Sequence, residues 1–246
     1  MTDSNNKRIA KNTIVLYARM ALSMLVSLYT SRVVLRELGA VDFGINNVVA
    51  GVVAMFSFLN ASKSGATSRF LTFQLGKGDY DALRKNIGVA KSIHLFIAVL
   101  VVLFAETIGL YFLNYKLVVP ESRIIAANII FQCCIFSTFF TITQVPYTAC
   151  IMSHEKMTVY AVLEFAKTGL KLIAVFLLAL GSDKLILWGA LTAVITIFIS
   201  MFYRIYCWLN LSERHSKYSL EKNILKSMLN FSGWDLYGNL SVMART

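Results

Sequence analysis

Six apolar stretches, each long enough to cross a bilayer, leave this chain few folds to choose from. A spanning helix needs about 17 to 25 residues. The stretches run from Asn12 to Leu38, Gly44 to Phe70, Ile87 to Leu113, Ile124 to Cys150, Met157 to Leu180 and Leu185 to Leu209, and a seventh begins near Phe231 and continues to Thr246. Open sheet edges cannot be satisfied in hydrocarbon, and runs this long without alternation do not suit barrel strands. The expected fold is therefore all-α and polytopic. Composition agrees, with 57% hydrophobic and 15% charged residues against about 25% charged in an ordinary soluble domain.

The net charge of +11 would suggest nucleic acid if it formed a stripe on a soluble surface. Its placement follows membrane topology instead, and no nucleic-acid partner is expected. Lys7, Arg8 and Lys11 precede the first span; Arg69, Lys77, Arg84 and Lys85 follow the second; Lys156 follows the fourth; Arg204, Arg214, Lys217, Lys222 and Lys226 follow the sixth. The alternate connections hold only Arg36, Lys116, Arg123 and Lys184. Under the positive-inside rule, this asymmetry places the N-terminus in the cytoplasm of a multi-pass protein of the cytoplasmic (inner) membrane. Arg19 interrupts the first apolar run, which continues past signal-peptide length, so no cleavable signal is expected. Cys133, Cys134, Cys150 and Cys207 lie in apolar spans without ligand-like spacing. Neither a metal, a cofactor nor a disulfide framework is expected.

The organisation expected is a cytoplasmic segment over 1–11, a six-helix lobe over 12–209, a cytoplasmic linker over 210–230 and the start of a seventh helix over 231–246. Gly76-Lys77-Gly78-Asp79 reads as a turn. Between Glu221 and Asn230, Ile224, Leu225, Met228 and Leu229 fall on one side and Lys222 and Lys226 on the other, an amphipathic helix for the inner membrane face. Transporters commonly use two related bundles with the site between them, so this chain reads as one wall of a cavity.

Ionisable groups inside a bilayer cost about 2.5 to 3.5 kcal/mol on insertion scales and normally face a bundle interior or water. Arg19 and Lys63 each fall seven residues from the inner end of their span, roughly 10 Å deep. Arg245 falls about 18 Å into the seventh span. Glu164, Lys167 and Lys171 recur at i, i+3 and i+7, one face of the fifth span. Span four and the middle of span six lack charge and can face lipid. Lys91 and Arg32 sit near span ends, where long side chains snorkel. His94 reads as a hydrogen-bonded core histidine. Glu106, Glu164 and Asp235 are the carboxylates available for ion coupling. Pro146, following Thr141 and Thr143, should bend the fourth span, with a hydroxyl serving the freed carbonyl.

At Arg36-Glu37-Leu38-Gly39-Ala40-Val41-Asp42-Phe43-Gly44 the chain resembles the first outer turn of the polysaccharide-transport branch of the multidrug/oligosaccharidyl-lipid/polysaccharide exporter superfamily. Arg69-Phe70 with Gly76-Lys77-Gly78-Asp79 is similar to that family's inner turn, Pro146 with Glu155-Lys156 to its fourth-to-fifth connection, and Phe231-Ser232-Gly233-Trp234 to the opening of its seventh helix. The resemblance implies the N-terminal half of a two-lobe, MATE-like transporter of about twelve to fourteen helices around a cationic cavity. It implies a flippase for an undecaprenyl-pyrophosphate-linked oligosaccharide, an O-antigen or capsule repeat unit, and not an enzyme. Arg19, Lys63 and Arg245 occupy the positions of the cavity cations, with Lys91, Lys167 and Lys171 less clearly matched. The implied partners are the lipid bilayer, the lipid-linked glycan and other polysaccharide-assembly membrane proteins. A drug or cation antiporter of the same superfamily is the alternative, but it would favour acidic cavity residues. A membrane glycan polymerase or ligase would need a longer outer loop or clustered carboxylates, and the short turns supply neither.

Overall fold

The computed structural model describes residues 2–211 and 216–230, with side chains for all of these except 2–12 and 54–66. Among the described residues the regular structure is helical. Helix α1 covers Thr2–Lys77 and is broken at Gly39. We call its parts the first arm (2–38) and the second arm (40–77). Then come α2 (Tyr80–Phe104), a π turn (Ala105–Gly109) running into α3 (Leu110–Tyr115), α4 (Ile124–Ser153), α5 (Met157–Leu177) and α6 (Lys184–Asn210). A further helix, α7, covers 222–230. Six long helical segments thus take the places of the six apolar stretches.

Gly39 makes the first reversal. Its φ of 76° and ψ of 170° lie in a region that is essentially glycine-only, so one residue separates two long helices. The second reversal uses Gly78, at φ 72°, followed by Asp79, whose Oδ1 accepts from the Ala82 N–H at 2.9 Å and caps α2.

Ion pairs bind the connections together at the Gly39 end. Arg123, just before α4, donates from Nε to Asp42 Oδ1 at 2.8 Å and from Nη2 to Asp42 Oδ2, and its Nη1 reaches Asp183 Oδ2 at 2.9 Å. Asp183 also caps α6, accepting from the Leu185 and Ile186 N–H groups at 3.1 and 3.2 Å. Lys184 Nζ donates to Glu37 Oε2 at 3.0 Å. The three connections assigned to the outside from charge counting therefore share one end. At the other end Ser153, closing α4, donates from Oγ to the Ser68 carbonyl at 3.4 Å. The second arm thus runs alongside α4 from Asp42 to Ser68, about 39 Å at 1.5 Å per residue, ample for a hydrocarbon core of about 30 Å.

Among the described residues, four stretches are both long and apolar enough to cross a membrane: Thr13–Val53, Tyr80–Tyr115, Glu121–Ser153 and Lys184–Asn210. Helix α5 falls short because Glu164, Lys167 and Lys171 dilute it. Helix α4 is a correction to the expectation that an uncharged span faces lipid. It packs against α1, α2 and α6, and Ala127, Ile130, Phe131 and Ile142 are fully or almost fully buried. Its lack of charge reflects a helix packed among three others, with uncharged polar side chains such as Gln132 and Thr143 bonded to its neighbours. The hydroxyl expected to serve the carbonyl freed by Pro146 is not found in Thr143, whose Oγ1 donates back to the Phe139 carbonyl at 2.9 Å.

The π turn corrects a drifting stripe. Ile97, Val101, Ala105, Gly109 and Leu113 are all buried, four residues apart. At 3.6 residues per turn each step of four advances about 40°, so by Leu113 the stripe would have wound about 160° away. The surplus residue held in the π turn returns about 100° of that. His94 is buried, and its Nδ1 lies 2.8 Å from the Ala90 carbonyl, the core role expected of it. In α7, Met228, Ile224 and Leu225 pack with Val89, Ile93, Ile97 and Val101 of α2. The amphipathic pattern therefore finds much of its apolar cover in the protein itself.

Candidate functional site

Arg19 projects from the first arm onto α5. Its guanidinium carbon lies 5.0 Å from the Tyr160 ring centroid, a cation–π contact, and its Nε is buried without a hydrogen-bond partner. Tyr160 lies 6.4 Å, centroid to centroid, from Tyr203 of α6. Tyr203 is fully buried, and its hydroxyl donates to Glu164 Oε1 at 3.2 Å. Tyr203 stands seven residues before the end of α6. That places the Arg19 level about 10 Å in from the end of α6 nearer Gly78.

Helix α5 continues the site along one face. Tyr160, Glu164, Lys167 and Lys171 follow at i, i+4, i+7 and i+11, a column about 16 Å long. Glu164 turns to Tyr203, and among the described residues no ion pair joins it to Lys167 or Lys171. Lys171 lies half-buried beside Lys167. Three cations against one carboxylate leave this column positive. A cation in a low-dielectric site gains most from an anion that brings its own hydrogen-bond acceptors.

Other expected residues fall elsewhere. Lys91 stands apart from the column, on α2, with Nζ donating to Ser216 Oγ at 2.7 Å and to the Ser216 carbonyl at 3.1 Å. Glu106 lies in the π turn and accepts from Gln132 Nε2 at 3.2 Å. Arg32 is exposed. The backbone carries Lys63 on the second arm, but its side chain, like Arg245 and Asp235, lies outside the described residues.

Arg204 is a correction. Counted by sequence among the charges after the sixth span, it stands inside α6, six residues before the end. Its Nη2 donates to Thr143 Oγ1 at 2.7 Å, and its guanidinium carbon lies 5.4 Å from the Phe140 ring centroid and 5.8 Å from that of Tyr147. Sequence reasoning also passed over Tyr160 and Tyr203. Their one visible signal is helical spacing: Tyr160 is four residues before Glu164.

No family model matches the chain, and no curated protein does. Among solved structures, a MOP superfamily transporter from Pyrococcus furiosus Vc1, described as having a binding pocket of reversed polarity, matches with a TM-score of 0.73 and 15% identity. The match covers 96% of this chain and 53% of that one. The chain therefore has an all-α polytopic membrane fold of the kind found in that transporter, and it spans about half the length of the structure it matches.

Proposed function

We propose that this chain forms one lobe of a membrane transporter that moves a phosphate-bearing, lipid-linked oligosaccharide across the cytoplasmic membrane by alternating access. The observation that carries the reading is Arg19, stacked on Tyr160 with its buried Nε unpartnered, at the head of a column whose carboxylate is already engaged by Tyr203. Arg19, Lys167 and Lys171 neutralise the phosphates, with Lys63 and Arg245 assigned to the same work from sequence. The glycan enters the wet space while the polyprenyl tail stays in lipid. Several moderate contacts suit a ligand that must also leave. Ile14, Tyr17, Met24, Leu25 and Leu28 of the first arm are each more than 60% exposed, an apolar surface of the kind that is covered by lipid or protein. In this reading a second lobe covers part of it.

The test uses the full-length protein. Arg19→Ala, Lys63→Ala and Arg245→Ala each abolish display of surface polysaccharide while the protein remains in the membrane. Proteoliposomes loaded with lipid-linked sugars or with cationic dyes separate this reading from a cation antiporter. Normal glycan display in all three variants, or transport of dyes alone, overturns it.

A further inference from the structure

A second cationic pocket lies toward the Gly78 end between α2, α4 and α6, away from the Arg19 column. We propose that it binds a phosphate ester group, supplied by the headgroup of an anionic phospholipid. The cavity is about 320 Å³ and is lined by Lys91, Tyr147, Arg204, Trp208 and Ser216, among others. Among the described residues, none that lines it carries a carboxylate. Both cations stand within 6 Å of the same Tyr147 ring. Lys91 uses its bonds on Ser216, Arg204 uses Nη2 on Thr143, and the buried Nε of Arg204 has no hydrogen-bond partner.

Two neighbouring cations, partly withdrawn from water and with no acid among the described residues of the pocket wall, repel each other. A dianionic or monoanionic phosphate oxygen cluster between them removes that repulsion and accepts their remaining N–H groups as charge-assisted bonds. The pocket is also built to hold its shape. Residues 216–219 cross α2 at Gly88, where a Cβ would meet the Lys217 carbonyl oxygen at 2.3 Å, and the Ser219 N–H donates to the Gly88 carbonyl at 3.4 Å. This strap fixes Ser216 against Lys91.

The surroundings favour a lipid as the source of the phosphate. Ile205 and Trp208 of the pocket wall are 50% and 61% exposed. Tryptophan beside a helix end sits at headgroup level, and basic pockets between spanning helices on the cytoplasmic side are headgroup sites. Charge counting places this end in the cytoplasm. The inference does not depend on the transport reading, since it shares no residue with the Arg19 column.

The experiment titrates the full-length protein in a neutral detergent with dihexanoyl phosphatidylglycerol, dihexanoyl phosphatidylcholine or inorganic phosphate, read by native mass spectrometry. Phosphatidylglycerol binds at least tenfold tighter than phosphatidylcholine, and Lys91→Gln or Arg204→Gln each removes most of that preference. Lys91→Arg and Arg204→Lys retain it, which guards against a merely misfolded variant. Inorganic phosphate that competes as strongly as phosphatidylglycerol identifies a free anion as the source; weak competition identifies the lipid. Equal binding of the two lipids sinks the proposal. So does a preference that survives in the Lys91→Gln/Arg204→Gln double variant, or one lost equally in Lys222→Gln on the exposed side of α7.

Discussion

Replacing Gly39 with alanine tests whether one residue's backbone sets the reversal between the first two spans. An alanine Cβ there would meet nothing within 4 Å, so crowding plays no part. The whole penalty is conformational, because φ 76° and ψ 170° suit glycine alone, at a cost of about 1–3 kcal/mol for any other residue. Gly44, five residues on, supplies the opposite case. It is helical, its Cβ would also meet nothing within 4 Å, and alanine there stabilises by roughly 0.5–1 kcal/mol. For a chain of this size about 1 kcal/mol moves a thermal midpoint by roughly 2–4 °C. Gly39→Ala should therefore lower the midpoint of the detergent-purified protein by about 2–12 °C, and Gly44→Ala should raise it by about 1–4 °C. Equal shifts of the same sign in the two variants would refute the reasoning, since the two sites differ in backbone conformation and not in space.

Three further perturbations follow from the geometry. The Arg123–Asp42 pair is partly buried, with side chains 27% and 11% exposed; a fully buried pair loses about 3–5 kcal/mol when broken, and water at this end reduces that to about 2 kcal/mol of coupling. A double-mutant cycle of Arg123→Met and Asp42→Asn measures it, and coupling below about 0.5 kcal/mol removes the pair from the forces joining the three connections. Gly88→Ala forces the 216–219 strap off α2 at a cost of about 1–3 kcal/mol, and hydrogen exchange should rise at Ser219 while the Gly39 end stays protected. Tyr203→Phe releases Glu164 toward Lys167 and Lys171, and on the transport function proposed above glycan display should fall with protein abundance unchanged; undiminished display would show that the charge balance of the column does not matter.

The spans were legible because apolar length and charge placement are local properties. The face shared by Glu164, Lys167 and Lys171 was legible too, since helical spacing fixes which side chains share a side. What remained hidden depends on partners far along the chain. Arg123 and Asp42 stand 81 residues apart, and no period of the sequence joins them. Arg204 was misplaced because a cation six residues from a helix end looks like a flanking charge until its guanidinium is seen over Phe140 and Tyr147. The uncharged α4 was read as able to face lipid because composition does not distinguish a hydrocarbon surround from a surround of other helices.

The π turn makes the membrane-spanning register of the third segment depend on a residue count. The extra residue is carried inside the hydrogen-bond ladder and not looped out, so deleting a single position such as Thr107 would let the turn relax to ordinary α geometry. Everything beyond it would then keep its present facing, because the residue removed and the widening removed each account for about 100° and cancel. Leu113, now fully buried against Ala126 and Ala127, would stay on the buried face, and Tyr111 and Phe112, both now about half exposed, would stay outside. A one-residue gap at this point should therefore be tolerated better than the same gap in the ordinary α-helical part of the segment, where nothing absorbs the rotation of about 100°.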